Sequence, residues 1–277
     1  MKMRVFAWLA VVLAVCAGLM VSCKKEDGLE ILDEALQAEQ YGVGFKLGDT
    51  KLRDAVQATL KEMAKDGTAA KISATWFEGE NKFVMSADAV AATPNAAGVD
   101  PSAAGFVFKV GLDATFKPYG FKNEKGEIVG FDIDLAKEVA KRRGWKIELK
   151  SIDWDAKDAE LSSGMINCIW NGFTINGREK QYTWTEAYVN NSQVVMVRKG
   201  SGIKKLSDLA GKVVVVQKDS SGAAAINDEK NDALKKSLKA VRSVPEFNTA
   251  LMELRQGSCD AVIIDQGVAE MHLKGKQ

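Results

Sequence analysis

The chain has 277 residues, with 38 lysines and arginines against 37 aspartates and glutamates, and a single histidine. Charges so nearly balanced do not suggest a nucleic-acid-binding protein, and a hydrophobic fraction of 46% is too high for a disordered chain. One histidine argues against a Ser-His-Asp triad and against a multi-histidine zinc site, and the length suits one large domain or two smaller ones.

The first 22 residues have the pattern of an export signal. Lys2 and Arg4 precede an apolar run at residues 5–21, and polar residues follow directly after Cys23. The run is short for a membrane-spanning helix, so it indicates a signal peptide over residues 1–22. Because the sequence around Cys23 resembles a bacterial lipobox, we expect an exported protein anchored to the membrane by lipid on that cysteine. An ordinary cleaved signal and an uncleaved anchor are the alternatives.

The next segment is predicted to hold one strand, two helices and a linker. The strand covers residues 41–45, and Asp49 can begin a helix that ends at Gly67. A second, shorter helix covers residues 68–76. Residues 84–106 are rich in alanine and hold two of the chain's four prolines, which is typical of a linker.

From residue 107 onward, apolar strands alternate with helices. The predicted strands are 107–112, 146–152, 166–171, 194–198, 213–217 and 261–264, and the predicted helices include one that ends at Gly144, then 156–163, 221–227, 232–238 and 247–255. This alternation indicates an α/β fold with mainly parallel sheets. Cys168 and Cys259 lie in two separate strand-like runs, so we expect two buried thiols rather than a disulfide.

Candidate binding residues follow the strands, because small ligands of open α/β sheets bind beyond the carboxyl ends of the strands. These residues are Asp113, Phe116, Trp154, Asn171, Gly172, Thr174, Arg178, Gln217, Ser220, Ser221 and Asp265. An arginine forks onto a carboxylate, a carboxylate can hold an ammonium, and aromatic rings can clamp a side chain. The two serines lie at a helix start, where free backbone N–H groups favour an anion. The set suits a zwitterion.

Five segments in this order also carry a resemblance to a known family. They are VGLDATFKPYGF at 110–121, GFDIDLA at 130–136, LSSG at 161–164, NGFTINGRE at 171–179 and GSCDA at 257–261. Through them, residues 108–273 resemble the amino-acid-binding class, family 3, of the solute-binding proteins that serve bacterial ABC importers. The resemblance implies a two-lobe, periplasmic-binding-protein-like fold of type II.

The order of the segments differs from that family. The segment that resembles residues 39–45 and the helix after it come last in the family, whereas here they come first. We therefore expect a circularly permuted chain, in which the linker at 84–106 joins the family's usual ends. The predicted boundaries are a continuous lobe at 41–187, a split lobe at 24–40 plus 188–277, and a hinge near 40–41 and 188–190.

The resemblance implies that the pocket holds the two charged groups common to all amino acids. Arg178 would bind the α-carboxylate, together with Thr174 and the region of Ser221. Asp265 would bind the α-ammonium, together with the backbone of Gly172.

The same resemblance assigns the ligand side chain to the remaining residues. Phe116 and Trp154 would lie on either side of it, and Asp113, Gln217 and Asn171 would contact its far end. Asp113 would repel an acidic ligand, so a basic or amide side chain is favoured. Two other interpretations stay open, in which Asp113 closes a turn and Trp154 belongs to the core.

The functional expectation is therefore a lipid-anchored receptor that delivers a polar or basic L-amino acid (arginine, lysine, histidine or glutamine) to a membrane permease. We expect a monomer that acts without enzymatic activity, cofactor, metal or nucleic acid. A sensory module for a partner receptor and a dehydratase on the same scaffold are the alternatives. Neighbouring genes would identify a sensor, and turnover of the ligand would identify an enzyme.

Overall fold

A computed structural model describes residues 28–88 and 93–274, so the predicted signal peptide and Cys23 lie outside the described residues. None of the helices in the described part of the chain combines the length and the apolar character needed to cross a bilayer. The helices are α1 (Thr50–Lys65), α2 (Thr68–Trp76), α3 (Phe131–Arg143), α4 (Lys157–Ser163), α5 (Ser221–Asn227), α6 (Asp232–Ser237), α7 (Phe247–Gln256) and α8 (Gln266–Lys274).

The strands form two large sheets and one small one. The strands are β1 (Leu29–Ile31), β2 (Gln37–Tyr41), β3 (Gly44–Phe45), β4 (Val107–Leu112), β5 (Thr115–Phe116), β6 (Gly120–Lys122), β7 (Ile128–Val129), β8 (Lys146–Ser151), β9 (Cys168–Ile169), β10 (Thr183–Trp184), β11 (Val189–Arg198), β12 (Val213–Gln217), β13 (Ala240–Val244) and β14 (Ala261–Asp265). The five-stranded sheet has the order β10-β3-β9-β4-β8. The six-stranded sheet has the order β1-β11-β14-β12-β13, with β2 also paired to β11, and β5-β6-β7 form the small sheet.

The α/β class is confirmed, but both large sheets are mixed rather than mainly parallel. Three strands are parallel in each, β9-β4-β8 in one and β14-β12-β13 in the other. Strands β1, β2 and β14 run antiparallel to β11, and β3 runs antiparallel to β9 and β10. Part of the reason is that the chain crosses between the sheets once in each direction. The two crossing segments pair with each other, so the strands that carry them run in opposite directions.

These two crossings form an antiparallel ribbon between the large sheets. Tyr41 on β2 lies opposite Val189 on β11, and the Tyr188 N–H donates to the Tyr41 carbonyl at 2.9 Å. Further along, the Thr185 N–H donates to the Val43 carbonyl at 3.1 Å. The predicted hinge near residues 40–41 and 188–190 coincides with one end of this ribbon. Motion about it, and the lobe boundaries, stay predictions.

The predicted linker is partly fixed to the rest of the fold. The Val84 N–H donates to the Tyr188 carbonyl at 2.9 Å, and Met85 is buried. Further along, the Val99 N–H donates to the Asp49 carboxylate at 3.1 Å, next to the start of α1. The apolar face that the sequence predicts for α1 is fully buried, and it consists of Leu52, Val56, Leu60 and Met63.

The apolar strands and helices after residue 107 are largely as predicted. Helix α3 ends at Gly144, whose φ of +70° suits glycine, and Cys168 and Cys259 are buried and unpaired as expected. The sequence interpretation missed the small sheet, β13 and α8. Strand β9 is shorter than its apolar run, and β11 begins earlier than predicted, because its first half is built by pairing with β2.

Candidate functional site

A pocket lies where the two large sheets face each other, and both sheets supply its lining. It encloses about 290 Å³, a volume that includes space open to solvent. The lining residues are Asp113, Phe116, Trp154, Asn171, Gly172, Thr174, Arg178, Gln217, Ser220, Ser221, Phe247 and Asp265. The structure therefore brings all eleven candidate residues to one pocket and adds Phe247.

The pocket has two walls, each built from residues that follow strands of one sheet. The Arg178 wall follows β4, β8 and β9 of the five-stranded sheet and comprises Asp113, Phe116, Trp154, Asn171, Gly172, Thr174 and Arg178. The Asp265 wall follows β12, β13 and β14 of the six-stranded sheet and comprises Gln217, Ser220, Ser221, Phe247 and Asp265. Since carboxyl ends of neighbouring parallel strands share an edge, each wall gathers residues that are distant in sequence.

Arg178 brings a cation to its wall without an acidic partner. Its Nη2 donates to the Asp219 carbonyl at 3.2 Å, its Nη1 donates to the Thr174 carbonyl at 3.4 Å, and the guanidinium lies over the Phe173 ring. Among the residues that the structure describes, Arg178 forms no salt bridge. A surface salt bridge is therefore not its role here, and the guanidinium N–H groups that the two carbonyls leave unused can pair with a carboxylate.

Asp265 brings the opposite charge to the other wall and is only 2% exposed. Its Oδ1 accepts hydrogen bonds from the Tyr41 hydroxyl at 2.6 Å and from the Asn191 amide at 3.0 Å. Burial, together with the charge of the nearby Glu39 carboxylate, raises the pKa of Asp265 well above its usual range. Burial, with a further contribution from Asp265, likewise raises the pKa of Tyr41 well above 10.0.

Asp113 connects the two walls across the pocket. Its Oδ1 accepts from the Thr115 N–H at 2.9 Å and from the Thr115 hydroxyl at 2.7 Å, so it does close a turn. Its Oδ2 accepts from Gln217 Nε2 at 2.8 Å. Asn171 Oδ1 accepts from the Asp113 N–H at 2.9 Å, while Asn171 Nδ2 is buried without a partner. The Asn171 amide thus keeps a donor that a ligand can use.

Gly172 occupies a position that no other residue fits without strain. Its φ is +56°, and an added Cβ would lie 2.7 Å from Phe116 Cε1 and 3.0 Å from Tyr41 Cε2. Its N–H donates to Asp132 Oδ2 at 2.6 Å, and Asp132 is fully buried. Burial raises the pKa of Asp132 to about 7, although the bond from Gly172 acts in the opposite direction.

The two serines differ in what their hydroxyls do. The Ser220 hydroxyl accepts from the Ala223 N–H at 3.1 Å and therefore caps α5. The Ser221 hydroxyl accepts from Gln193 Nε2 at 2.8 Å, which ties α5 to β11 behind Asp265. Both side chains are buried at the pocket edge.

Phe116 and Trp154 each contact another aromatic ring of the protein. Phe116 faces Phe247 on the opposite wall, with ring centroids 5.7 Å apart. Trp154 is partly buried, meets the Phe173 ring edge-on, and has the Lys157 ammonium 5.3 Å from its ring centroid. Trp154 thus lines the pocket and also packs on the core. A ligand side chain held between Phe116 and Trp154 stays a prediction.

Two functional candidates escaped the sequence interpretation. Phe247 begins the helix after β13, so recognising that strand would have placed it at a strand end. Glu39 lies on β2 and is 3% exposed, but its polar surroundings in sequence resemble a solvated strand. Its Oε1 accepts from the Asn191 amide at 2.6 Å, and this contact spans 152 residues. No local signal could have found it.

Comparison with known proteins identifies related sequences. Residues 108–253, more than half of the chain, match the model of the bacterial extracellular solute-binding proteins, family 3. The arginine-binding extracellular protein ArtP of Bacillus subtilis is 32% identical over 167 residues, which cover 60% of this chain and 63% of that protein. The L-cystine-binding protein TcyJ of Escherichia coli is 30% identical over 162 residues, covering 57% of this chain and 58% of that protein.

Solved structures are similar over the same share of the chain. An ABC uptake transporter substrate-binding protein from Streptococcus pneumoniae with bound histidine has a TM-score of 0.59 at 35% identity, covering 61% of this chain and 70% of that one. An ancestral arginine-binding protein bound to arginine has a TM-score of 0.57 at 40% identity, covering 61% and 74%. The chain spans only 63% and 58% of the length of the two curated relatives that it matches.

Proposed function

Because the chain belongs to the bacterial extracellular solute-binding proteins of family 3, we propose that it is the receptor of an amino-acid ABC importer. The protein captures one polar or basic L-amino acid, with arginine, lysine, histidine and glutamine as the candidates, and delivers it to a permease in the membrane. It binds its ligand as a monomer and does not transform it. Closure of the two walls over the ligand is the signal that the permease reads.

One observation carries this proposal. Arg178 and Asp265 face the same pocket from opposite walls, and neither has an oppositely charged side chain bonded to it among the described residues. A zwitterionic amino acid carries a carboxylate for the arginine and an ammonium for the aspartate. Binding of such a ligand would pair both charges at once and hold the walls together.

The remaining pocket residues are assigned in the same way. Thr174 and Ser221 assist Arg178 at the carboxylate, and the Gly172 carbonyl assists Asp265 at the ammonium. The ligand side chain lies against Phe116 and Trp154. Its far end meets Asp113, Gln217 and Asn171, where the carboxylate disfavours an acidic ligand and the unpaired amide donor suits a polar one.

The relatives support a ligand of this class. The names of similar proteins specify arginine, L-cystine and histidine, and solved structures carry bound histidine, arginine or glutamine. All of these ligands share the α-carboxylate and α-ammonium that the two walls are suited to bind.

The proposal includes export and a permuted chain. The family is extracellular, and the first 23 residues resemble a lipoprotein signal with Cys23 as the lipid anchor. The family match begins at residue 108, yet β2 and β3, which precede it in the chain, pair with strands inside the two large sheets. This arrangement supports a permutation in which the family's last segment has become the first.

Binding can be tested by thermal denaturation with each of the twenty amino acids, followed by calorimetry. At saturating ligand we expect a clear rise in Tm for one or a few polar or basic amino acids. Arg178→Ala and Asp265→Ala should each weaken binding by about 100-fold or more. Arg242→Ala and Asp232→Ala, which remove exposed charges far from the pocket, are the matched controls.

Two results would contradict the proposal. One is a protein whose Tm responds to none of the twenty amino acids. The other is normal affinity in both pocket variants. Recovery of the ligand chemically unchanged after incubation separates capture from turnover.

A further inference from the structure

Glu39 lies directly behind the ammonium end of the pocket without lining it. Its Oε1 accepts from Asn191 Nδ2 at 2.6 Å and from Gln193 Nε2 at 2.9 Å, while its Oε2 is buried without a partner. Only 3% of the residue is exposed. Among the described residues, the hydrogen-bond donors to this carboxylate are two neutral side-chain amides.

Asp265 shares one of these amides. Asn191 Nδ2 donates to Glu39 and, at 3.0 Å, to Asp265 as well, so two carboxylates contact one nitrogen atom. Within residues 28–88 and 93–274, neither carboxylate has a salt-bridge partner. Two negative charges in one desolvated site repel each other strongly, so such a pair retains a proton that an isolated carboxylate would lose.

In the part of the chain that the structure describes, the groups around the pair supply no positive charge to replace that proton. The facing side chains are Tyr41 from β2, Asn191 and Gln193 from β11, Ser221 from α5 and Tyr119 from the Arg178 side, and Glu270 from α8 lies near Tyr119. Burial raises the pKa of both tyrosines well above 10.0, so they stay neutral. Glu270 adds only negative charge.

We propose that Glu39 sets the charge of the ammonium site, so that Asp265, beside the Glu39 carboxylate, holds a proton in the ligand-free protein and loses it when the ligand's α-ammonium binds. The proposal rests on the proposed function, because it takes an amino acid as the ligand. The proton leaves the carboxyl oxygen for water, and an ammonium N–H becomes the new donor to Asp265. Glu39 acts only through Asp265.

A pH dependence of binding follows from this exchange. Where the pair still holds its proton, ligand binding must displace it, so affinity rises with pH by at most about tenfold per pH unit. Once the pH is high enough for the proton to be lost beforehand, affinity becomes constant. Glu39→Gln removes one charge and keeps an oxygen that can accept from Asn191. In this variant burial still raises the pKa of Asp265 but the charge of Glu39 no longer does, so binding should persist with a weaker dependence on pH than in the wild type.

The experiment is calorimetry with L-arginine as the probe, and L-glutamine as a second probe, in two buffers of different ionisation enthalpy between about pH 5 and pH 8. The wild-type protein should release up to about one proton per ligand at the acidic end, and Glu39→Gln should release less than the wild type at the same pH, with its proton release ending at a lower pH. Glu34→Gln, an exposed glutamate on the same segment, is the matched control and should behave as the wild type.

Two outcomes would overturn the inference. The first is wild-type binding without proton release at any pH in this range. The second is a Glu39→Gln variant that loses the same factor in affinity at every pH, which would mean that Glu39 only supports the structure. Absence of binding by every amino acid would instead contradict the proposed function, so the two failures are distinguishable.

Discussion

Arg178 and Asp265 carry opposite charges to one pocket, but their surroundings differ. Arg178 is partly exposed, and its guanidinium is held by two carbonyl oxygens and one aromatic ring. Asp265 is almost fully buried in a network with Tyr41, Asn191 and a second carboxylate, Glu39. The Arg178 end therefore remains partly hydrated before a ligand arrives, whereas the Asp265 end has already lost its water.

The difference teaches where the energy of binding resides. A partly hydrated cation gains modestly from a new anion, because it exchanges water for the ligand carboxylate. The free-energy cost of removing the buried carboxylate from water arises when the protein folds, not when the ligand binds. An ammonium that pairs with this carboxylate therefore contributes much more to the free energy of binding. The Asp265 end should therefore dominate affinity, and the Arg178 end should chiefly fix the orientation of the ligand.

The largest expected effect comes from removing the buried charge while keeping its shape. Asp265→Asn should lower the affinity for an amino acid by about 2–5 kcal/mol, because the ammonium loses its buried partner. At a pH high enough for the ligand-free pair to have lost its proton, the same change should raise the Tm, because Glu39 no longer faces a second charged carboxylate. Arg178→Lys should cost about 1.4 kcal/mol, a tenfold loss, through the missing fork.

Calorimetry measures the ligand affinity of these two variants, and thermal denaturation without ligand measures their Tm. Together they show whether the Asp265 end and the Arg178 end differ in energy. Equal losses of affinity together with unchanged Tm values would mean that the two ends are energetically alike. A lower Tm for Asp265→Asn would mean that the carboxylate pair stabilises the fold.

The next effect concerns Asp132, the buried carboxyl behind the Arg178 wall. Its pKa is raised to about 7, so the folded protein binds more protons than the unfolded chain between about pH 4 and pH 7. The contribution of Asp132 to the free energy of unfolding is therefore greatest at low pH and falls as pH rises, by about 4 kcal/mol over the whole range. Asp132→Asn, which keeps an acceptor for the Gly172 N–H, should remove this decline.

Urea unfolding of wild type and Asp132→Asn at about pH 5 and pH 8 measures how the free energy of unfolding of each protein changes with pH. The stability difference between the two proteins should shift in favour of the variant at the higher pH. Asp232→Asn, at an exposed carboxyl, should show no such shift. A constant difference between wild type and Asp132→Asn would contradict the raised pKa.

Much of the pocket could be predicted from sequence, because strand ends and family segments are local signals. Asp113, Asn171 and Gln217 each follow an apolar run that a reader can recognise, and the structure places all three in the pocket. Phe247 was missed because β13, an edge strand with Arg242 and Ser243 exposed, lacks an apolar run. Phe247 can be predicted to lie at a strand end only if β13 is recognised first.

The charge network behind the pocket could not be predicted in this way. Glu39 is buried by Asn191 and Gln193, which approach it only because β2 pairs with β11. The same pairing is part of the reason that the sheets are mixed, which alternation of strands and helices along the chain does not reveal. Long-range pairing between the two crossing segments thus decides both the sheet topology and the electrostatics of the Asp265 end.

A smaller effect on stability and ligand affinity is expected from a substitution at Gly172. Gly172→Ala would place a Cβ against Phe116 and against Tyr41, whose hydroxyl donates to Asp265. Because of these close contacts and the positive φ, we expect the variant to lose about 1–3 kcal/mol of stability and about tenfold in ligand affinity. Gly177→Ala is the control, because its φ is +80° but no atom lies within 4 Å of the new Cβ. Equal losses in the two variants would leave only backbone strain as the cause.

The smallest effect concerns two neighbouring residues that both contact the opposite wall. Gln217 Nε2 donates to the buried Asp113 at 2.8 Å, whereas the Lys218 ammonium meets the exposed Asp155 at 2.7 Å. An exposed ion pair is weak, because both charges are well hydrated when they are apart. Lys218→Ala should therefore change ligand affinity by less than about threefold. Gln217→Ala should change affinity more, because it removes the donor to the buried Oδ2 of Asp113. Calorimetry at low and high salt measures the ligand affinity of both variants and separates the contribution of the exposed ion pair from that of the buried hydrogen bond. A larger loss for Lys218→Ala that vanishes with salt would mean that surface charge, rather than the buried contacts, holds the walls together.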